Sequence, residues 1–471
     1  MTEAQGLLDS ARFRSAKSEL LAAIGEASAK IKGIKPASSP EAREKFQSLI
    51  QEFSRDRGRE LYYPYIASGL GHGPYIEMVD GSVKIDMITG IGVNLFGHTH
   101  PALMAEAIDA ISGDIMQGNL EPGHEAPALL KTLLANVGTA HGSRLKHGWI
   151  TTCGTMANEI ALKIIRQKKS PASRIFAFKD CFCGRSTAMQ EITDNAAYRQ
   201  GQPVFGEVFH LSFYDPKLGV EKSVAQTLGE MHEQLKRWPG KFSGVMMEPV
   251  QGEGGFSFAP REWYVGVLEE AKKAGLAIWF DEIQTFGRTG ELFAHQKFGL
   301  HELADVVTIA KPLQAAAVLY TEEYNPKAGL VAGTFTGSST TLRAARRTLE
   351  MLVSEGYLGP TGKIEKLSQR FTSNLMKLRE GSCAGMIGEI RAIGGMIAFA
   401  PFGATADDVK KVLMKLFDLG VVAFSCGHDP YLIRMLPPMG VLTESEIDLT
   451  TSLIEKAVHE VSHEIRRGAL P

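Results

Sequence analysis

The sequence predicts an α/β fold: a mostly parallel sheet covered by helices, with a second, smaller α+β domain. Three observations carry this expectation. Between residues 146 and 322, short apolar runs alternate with amphipathic helical stretches. The runs are apolar at nearly every position, as in strands buried on both faces. Outside that stretch the pattern changes, to polar helices before it and a helical, then mixed, region after about residue 345.

In chain order, residues 1–60 read as an N-terminal helical arm. Ser39 followed by Pro40 is a helix start, and Phe46, Leu49, Ile50 and Phe53 fall on one face of the helix that follows. Residues 61–110 read as the first part of the small domain, where Tyr75–Val79 and Ser82–Met87 form a hairpin about the Asp80-Gly81 turn. Residues 111–345 form the large domain. Its runs are Gly148–Thr151, Arg174–Phe178, Gly244–Met247, Leu276–Phe280 and Val306–Ile309. Residues 346–471 return to the small domain. No internal repeat or low-complexity segment interrupts this order.

Composition narrows the function. A chain of 471 residues with 44% hydrophobic residues can bury large cores, on the order of two or three domains of about 150 residues. The net charge of −2, with no basic block, argues against nucleic acid or an anionic membrane surface and for a small-molecule partner. No basic stretch followed by an apolar one opens the chain, and no apolar run reaches the ~18 residues of a span, so the expected location is cytoplasmic. Five cysteines without paired spacing read as thiols rather than a zinc site. His98 and His100 have no further ligands at sensible spacing, and Pro101 marks a helix start, so they do not read as a metal site.

In a parallel sheet, ligands sit beyond the carboxyl ends of the strands, so the residues after each run are the candidates for chemistry. After the first run, Cys153-Gly154-Thr155 opens a helix whose apolar face is Ala157, Ile160, Ala161, Ile164 and Ile165. Gly154 and Thr155 there offer backbone N–H groups and a hydroxyl to a phosphate, although Gly-Thr is also an ordinary helix start. After the second run, Phe182 could stack on a flat ring and Arg185 could fork onto a carboxylate; they could equally be a core Phe beside a surface Arg. After the third, Glu248 and Glu253 flank a glycine-rich turn. The fourth ends in Asp281-Glu282, and a carboxylate directly after Ile278-Trp279-Phe280 is costly to bury unless it meets a cation. The fifth ends at Lys311. An amine at one strand tip and a carboxylate at another is the pairing that pyridoxal phosphate requires, one forming a Schiff base and the other holding the protonated pyridine nitrogen.

These segments, taken together and in order over about residues 60 to 460, resemble the class III (ω-amino acid) aminotransferases of the fold type I pyridoxal phosphate enzymes. The matching stretches are Gly92–Pro101, Cys153–Asn158, Phe182–Arg185, Glu248–Gly255, Asp281–Thr285, Ile309–Lys311, Gly333–Gly337 and Ile433–Pro438. The resemblance implies that Lys311 is the Schiff-base lysine and moves the proton between Cα and C4′. It implies that Asp281 pairs with the pyridine nitrogen, Gln284 bonds the ring hydroxyl, and Phe182 and Ile283 cover the two ring faces. Gly154 and Thr155 would hold the phosphate, joined by Thr334 from a partner subunit, which makes the active unit a homodimer with shared active sites. Arg185 resembles the anchor for the donor carboxylate. Glu253 and Arg434 resemble a switch pair, closed for the amino donor and opened for 2-oxoglutarate. A cation kept for the second substrate needs a movable carboxylate while the first is bound. Desolvation favours the neutral, nucleophilic form of Lys311.

The sequence departs from the family pattern near the substrate cavity and the subunit contact. Pro312-Leu313-Gln314-Ala315-Ala316-Ala317 stands where the family has Gly-Leu and several glycines, giving a shorter and stiffer loop. The loop between Asp281 and Phe286 is one residue short. Cys183 replaces a common His, Met156 a common Glu, and Ser338-Ser339 the usual Asn-Pro. The Cys-Gly-Thr segment and the glycine-poor loop are more similar to the 4-aminobutyrate and lysine 6-aminotransferase branch than to the acetylornithine branch. The expected activity is transfer of the amino group of an ω-amino acid (4-aminobutyrate, lysine, ornithine or acetylornithine type) to 2-oxoglutarate by a ping-pong mechanism. An aminomutase, racemase or decarboxylase would use the same electron sink, but with one substrate it has no need of the Glu253–Arg434 pair. A catalytically silent binding protein of the same fold is disfavoured by the intact Lys311 and Asp281.

Overall fold

A computed structural model describes residues 2–137 and 143–468 of the chain. The chain divides into two compact units, one of residues 110–360 and one of residues 1–109 with 361–471.

The larger unit is organised by a sheet that contains, among the described residues, seven strands: β1 (Leu145–Thr151), β2 (Arg174–Phe178), β3 (Val208–Leu211), β4 (Phe242–Met247), β5 (Ala277–Asp281), β6 (Val306–Ile309) and β7 (Ala316–Thr321). Their spatial order is β1-β7-β6-β5-β4-β2-β3. All neighbours are parallel except β7, which runs antiparallel to both β1 and β6. The five predicted runs are five of these strands. β4, β5, β6 and β7 are buried at every position, which is why their sequences show no alternation.

The helix Gly154–Lys169 covers one face. Ala157, Ile160, Ala161, Ile164 and Ile165 are all buried, as their spacing predicts. Ile160, Ile164 and Ile165 share a core with Ile175, Met246, Trp279 and Val318 from four different strands. The turn after β6 is sterically demanding. Lys311 and Gln314 both lie in the left-handed region, at φ 42° and 57°, the first residue of a single 3₁₀ turn, Lys311–Leu313, and the residue that caps it. The buried Pro312 and Leu313 hold that turn without the flexibility of glycine.

In the other unit, the hairpin Tyr75–Met78 with Val83–Asp86 forms as expected, and a further strand, Ala67–His72, pairs beside it. Val421–Val422 joins the opposite edge in parallel. A separate antiparallel sheet has the order Ile387–Ile393, Met396–Pro401, Leu432–Met435, Phe424–Cys426. The helices Lys363–Glu380 and Ala406–Asp418 pack against it, and Glu444–Gly468 packs against both helices. The arm helix Pro40–Arg57 starts at Ser39, whose hydroxyl accepts from Ala42 N. Phe46 is buried against Ile76 and Met78, but Leu49 and Phe53 on the same predicted face remain exposed. Ser28 Oγ donates to Gly71 O at 2.6 Å and Lys17 pairs with Asp109 at 2.6 Å, so the arm is tied to this unit by polar contacts as well. His98 Nε2 lies 3.1 Å from Asp86 Oδ2, and Pro101 does open a helix, Pro101–Ala110. No helix among the described residues is long and apolar enough to cross a membrane.

Ile165 is fully buried between helix and sheet. Ile165→Ala should therefore cost about 2–5 kcal/mol and lower the thermal midpoint by several degrees, read by circular dichroism; an unchanged midpoint would mean that this face is not the core.

Candidate active site

Because β1, β2, β4, β5 and β6 run in one direction, their carboxyl ends share one edge of the sheet. That edge receives Gly154 and Thr155, Phe182, Glu248 to Gly255, Asp281 to Gln284, and Lys311.

Asp281 ends β5 and is 4% exposed. Its Oδ1 accepts from Ile283 N at 3.0 Å and its Oδ2 from Asn158 Nδ2 at 2.7 Å. Asn158 itself is fully buried and also donates to Cys183 O at 2.7 Å, so one amide joins the helix, the β2 tip and the β5 tip. Burial raises the Asp281 carboxyl to about 6, against the opposing effects of these hydrogen bonds and of Lys311. Glu248 follows β4 and is 6% exposed; burial, then the charge of Asp281, raise its carboxyl to about 8, while Lys311 lowers it. Lys311 is thus close enough to act on both acids.

Glu282, next to Asp281, plays a different part. It is fully buried, with bonds from Ala294 N (2.6 Å), His295 N (2.7 Å) and Thr285 Oγ1 (2.9 Å), and His295 Nδ1 lies 2.6 Å from it. This network fixes the chain after β5 and leaves Asp281 and Glu282 pointing to separate tasks.

Ile283 and Gln284 both press on glycines. A Cβ at Gly154 would come within 2.9 Å of Ile283 Cδ1, and one at Gly252 within 2.5 Å of Gln284 Cδ. Ile283 also packs on Ala157, Ala310 and Ala316, small residues that let helix and strand tips approach. Gly154 and Thr155 open their helix after Cys153, which makes no side-chain cap bond, so the helix begins here without a capping side chain, as an anion-binding N-terminus requires.

Phe182 is half-buried and meets Tyr198 edge-on at 5.8 Å. The exposed Arg185 lays its guanidinium 4.0 Å from the same Tyr198 ring. Glu253 is half-buried on the turn after β4. Thr334 is exposed, on a loop tied to Gln117 and Asn119 beside the ribbon Met116–Gln117 with Gly337–Ser338. Arg434 belongs to the other unit, fully buried on Leu432–Met435 opposite Ala398 and Phe424.

Sequence reading missed Asn158, Tyr198 and the bridging part of Glu248. Asn158 had a signal, a short amide one turn into a helix that opens at a strand tip. Tyr198 had none, since it reaches Arg185 only through tertiary folding.

Glu248 and Asp281 bind protons more tightly folded than unfolded. Between the ordinary carboxylate range and about 6 for Asp281 and 8 for Glu248, the folded state holds protons that the unfolded chain has lost, so stability falls as pH rises. The cofactor-free protein should lose thermal stability from about pH 5 to about pH 8, and Glu248→Gln should flatten the upper part of that decline; equal slopes in both proteins would contradict the assignment.

The class III aminotransferase family model matches residues 62–458. Among similar sequences, the acetylornithine aminotransferase of Caldanaerobacter subterraneus subsp. tengcongensis is 26% identical over 403 residues, 83% of this chain and 94% of that one. A Schizosaccharomyces pombe protein named as a probable mitochondrial acetylornithine aminotransferase is 33% identical over 262 residues, 53% of this chain and 55% of its own length. Among solved structures, a lysine aminotransferase from Mycobacterium tuberculosis superimposes with a TM-score of 0.75 at 21% identity, covering 88% of this chain and 99% of that one. With a family match over most of its length and that fold, the chain belongs to the class III aminotransferases and is a pyridoxal-phosphate-dependent transaminase.

Proposed function

We propose that the protein transfers the terminal amino group of an ω-amino acid to 2-oxoglutarate, by a ping-pong mechanism, in a homodimer with shared active sites. The observation that carries this reading is the meeting, at one sheet edge, of an amine and a buried carboxylate, Lys311 and Asp281, with the guanidinium of Arg185 on the loop after β2.

The residues fit the cofactor. Asp281 is a buried carboxylate whose ionised form needs a cation, and the bare backbone at Gly154 and Gly252 lets Ile283 and Gln284 sit where a Cβ at either position would displace them. Gly154 and Thr155 would take the phosphate, Asp281 the ring nitrogen, Gln284 the ring hydroxyl, and Phe182 and Ile283 the two faces. Bound there, pyridoxal phosphate would supply a carbonyl for the amino group and a ring that stabilises the electron pair left on the carbon that bears that amino group. Lys311 Nζ would hold it and, once freed by the donor amine, would move the proton of the donor carbon that bears the terminal amino group. Asp281 would keep the ring nitrogen protonated, and Arg185, braced by Tyr198, would orient the donor through its carboxylate.

Arg434 and Glu253 are the proposed charge pair that lets one site serve two substrates, Arg434 taking the second carboxylate of 2-oxoglutarate and Glu253 balancing its charge in the donor half-reaction. A fully buried guanidinium on an otherwise apolar strand, Leu432–Met435, supports a role beyond packing. The homodimer is supported by the exposed apolar side chains of Ile115, Met116, Leu120 and Phe335, on or beside the ribbon near Thr334. The similar proteins, an acetylornithine aminotransferase and a lysine aminotransferase among them, fit an ω-amino donor.

Arg434→Ala should slow the 2-oxoglutarate half-reaction by about a hundredfold and the donor half-reaction far less, measured by single-turnover absorbance; equal losses in both would remove the switch.

A further inference from the structure

Glu248 is more than a second acid beside Asp281. Its Oε1 accepts from Phe182 N at 2.8 Å and its Oε2 from Gly252 N at 2.9 Å. One carboxyl group therefore joins the tip of β2 to the turn after β4. Gly252 in turn lies against the amide end of Gln284 beyond β5: a Cβ at position 252 would come within 2.5 Å of Gln284 Cδ and displace that amide. The loops bearing Phe182 and Gln284 are thus laced together through a single buried group.

We infer that Glu248 is a positioning residue for the cofactor: it fixes Phe182 against one ring face and, through Gly252, fixes Gln284 at the ring hydroxyl. This rests on the proposed assignment of Phe182 and Gln284 to the ring. Both carboxyl oxygens are committed to backbone N–H groups, so Glu248 orients the loops and leaves proton transfer to Lys311. Its depth is consistent with that part. Burying a carboxyl group is costly, and here it is offset by two donors that would otherwise be unsatisfied. An apolar residue at position 248 would leave both N–H groups without this acceptor. Glutamine keeps one acceptor oxygen but turns an amide N–H toward the other backbone donor.

The test compares Glu248→Gln with the wild type in three measurements: far-ultraviolet circular dichroism and melting of the cofactor-free protein, the dissociation constant of added pyridoxal phosphate by fluorescence titration, and the visible circular dichroism of the bound cofactor, which reports how its ring is held. The inference expects a folded variant that binds pyridoxal phosphate at least about tenfold more weakly, with its visible dichroism at least about halved. Wild-type affinity and dichroism in the variant would overturn it. So would a loss of melting temperature with affinity and dichroism intact, the result for a plain structural strut. If Glu248→Gln does not fold, hydrogen exchange in the wild-type, cofactor-free protein decides: the amides of Phe182 and Gly252 must both be protected, and fast exchange at either overturns the inference. Phe182→Ala separates this from the reading beneath it, because unchanged visible dichroism in that variant would remove Phe182 from the ring and the inference with it.

Discussion

The structure is arranged around one costly act, the burial of the Asp281 carboxylate at the end of an apolar strand. Ionised and unpaired, such a group would be a liability in the core. Asn158 and the amide of Ile283 satisfy it in part, and Lys311 offsets its charge, yet its proton affinity stays raised. What completes it is a cation, and in the proposed reading that cation is the protonated ring nitrogen of the cofactor. The parallel sheet serves this arrangement by delivering Asp281, Glu248, Phe182 and Lys311 to one edge from four strands. Rigid strands hold such groups more accurately than loops can.

A second constraint is the turn that presents Lys311. It takes a left-handed lysine and a left-handed glutamine, neither of which has the freedom of glycine, around a buried Pro312-Leu313 pair. Such conformations persist only when the surroundings enforce them. Here the enforcement comes from β6 and β7 on either side and from the small residues Ala157, Ala310 and Ala316 beneath. The departure from the family's glycine-rich loop is thus accommodated by packing, with the amine still at the tip of β6.

Much of this was legible in the sequence because burial on both faces leaves a plain mark. The runs ending near Thr151, Phe178, Met247, Phe280 and Ile309 are apolar at nearly every position, and each is a strand. β7 was missed because its run starts with alanines next to the lysine loop and reads as a continuation of that loop. β3 was missed because Val208–Leu211 is short and contains His210. The arm showed the opposite error: spacing put Phe46, Leu49, Ile50 and Phe53 on one face, but periodicity says only that a face is apolar, not how much of it finds a partner in the same chain. At the site, residue types at strand tips could be read directly. The bonds among them could not, because Asn158, Tyr198 and Glu248 act through tertiary contacts between separate segments, of which the Asn158 and Glu248 bonds span 123 and 66 residues.

The central claim, that Asp281 holds a protonated ring nitrogen, is open to direct measurement by nuclear magnetic resonance of the protein loaded with pyridoxal phosphate labelled with ¹⁵N in the ring. The account predicts a pyridinium shift for the wild type throughout the pH range in which the protein is folded, and a shift to the unprotonated nitrogen in Asp281→Asn. An unprotonated nitrogen in the wild type, or a pyridinium that survives in Asp281→Asn, would contradict it.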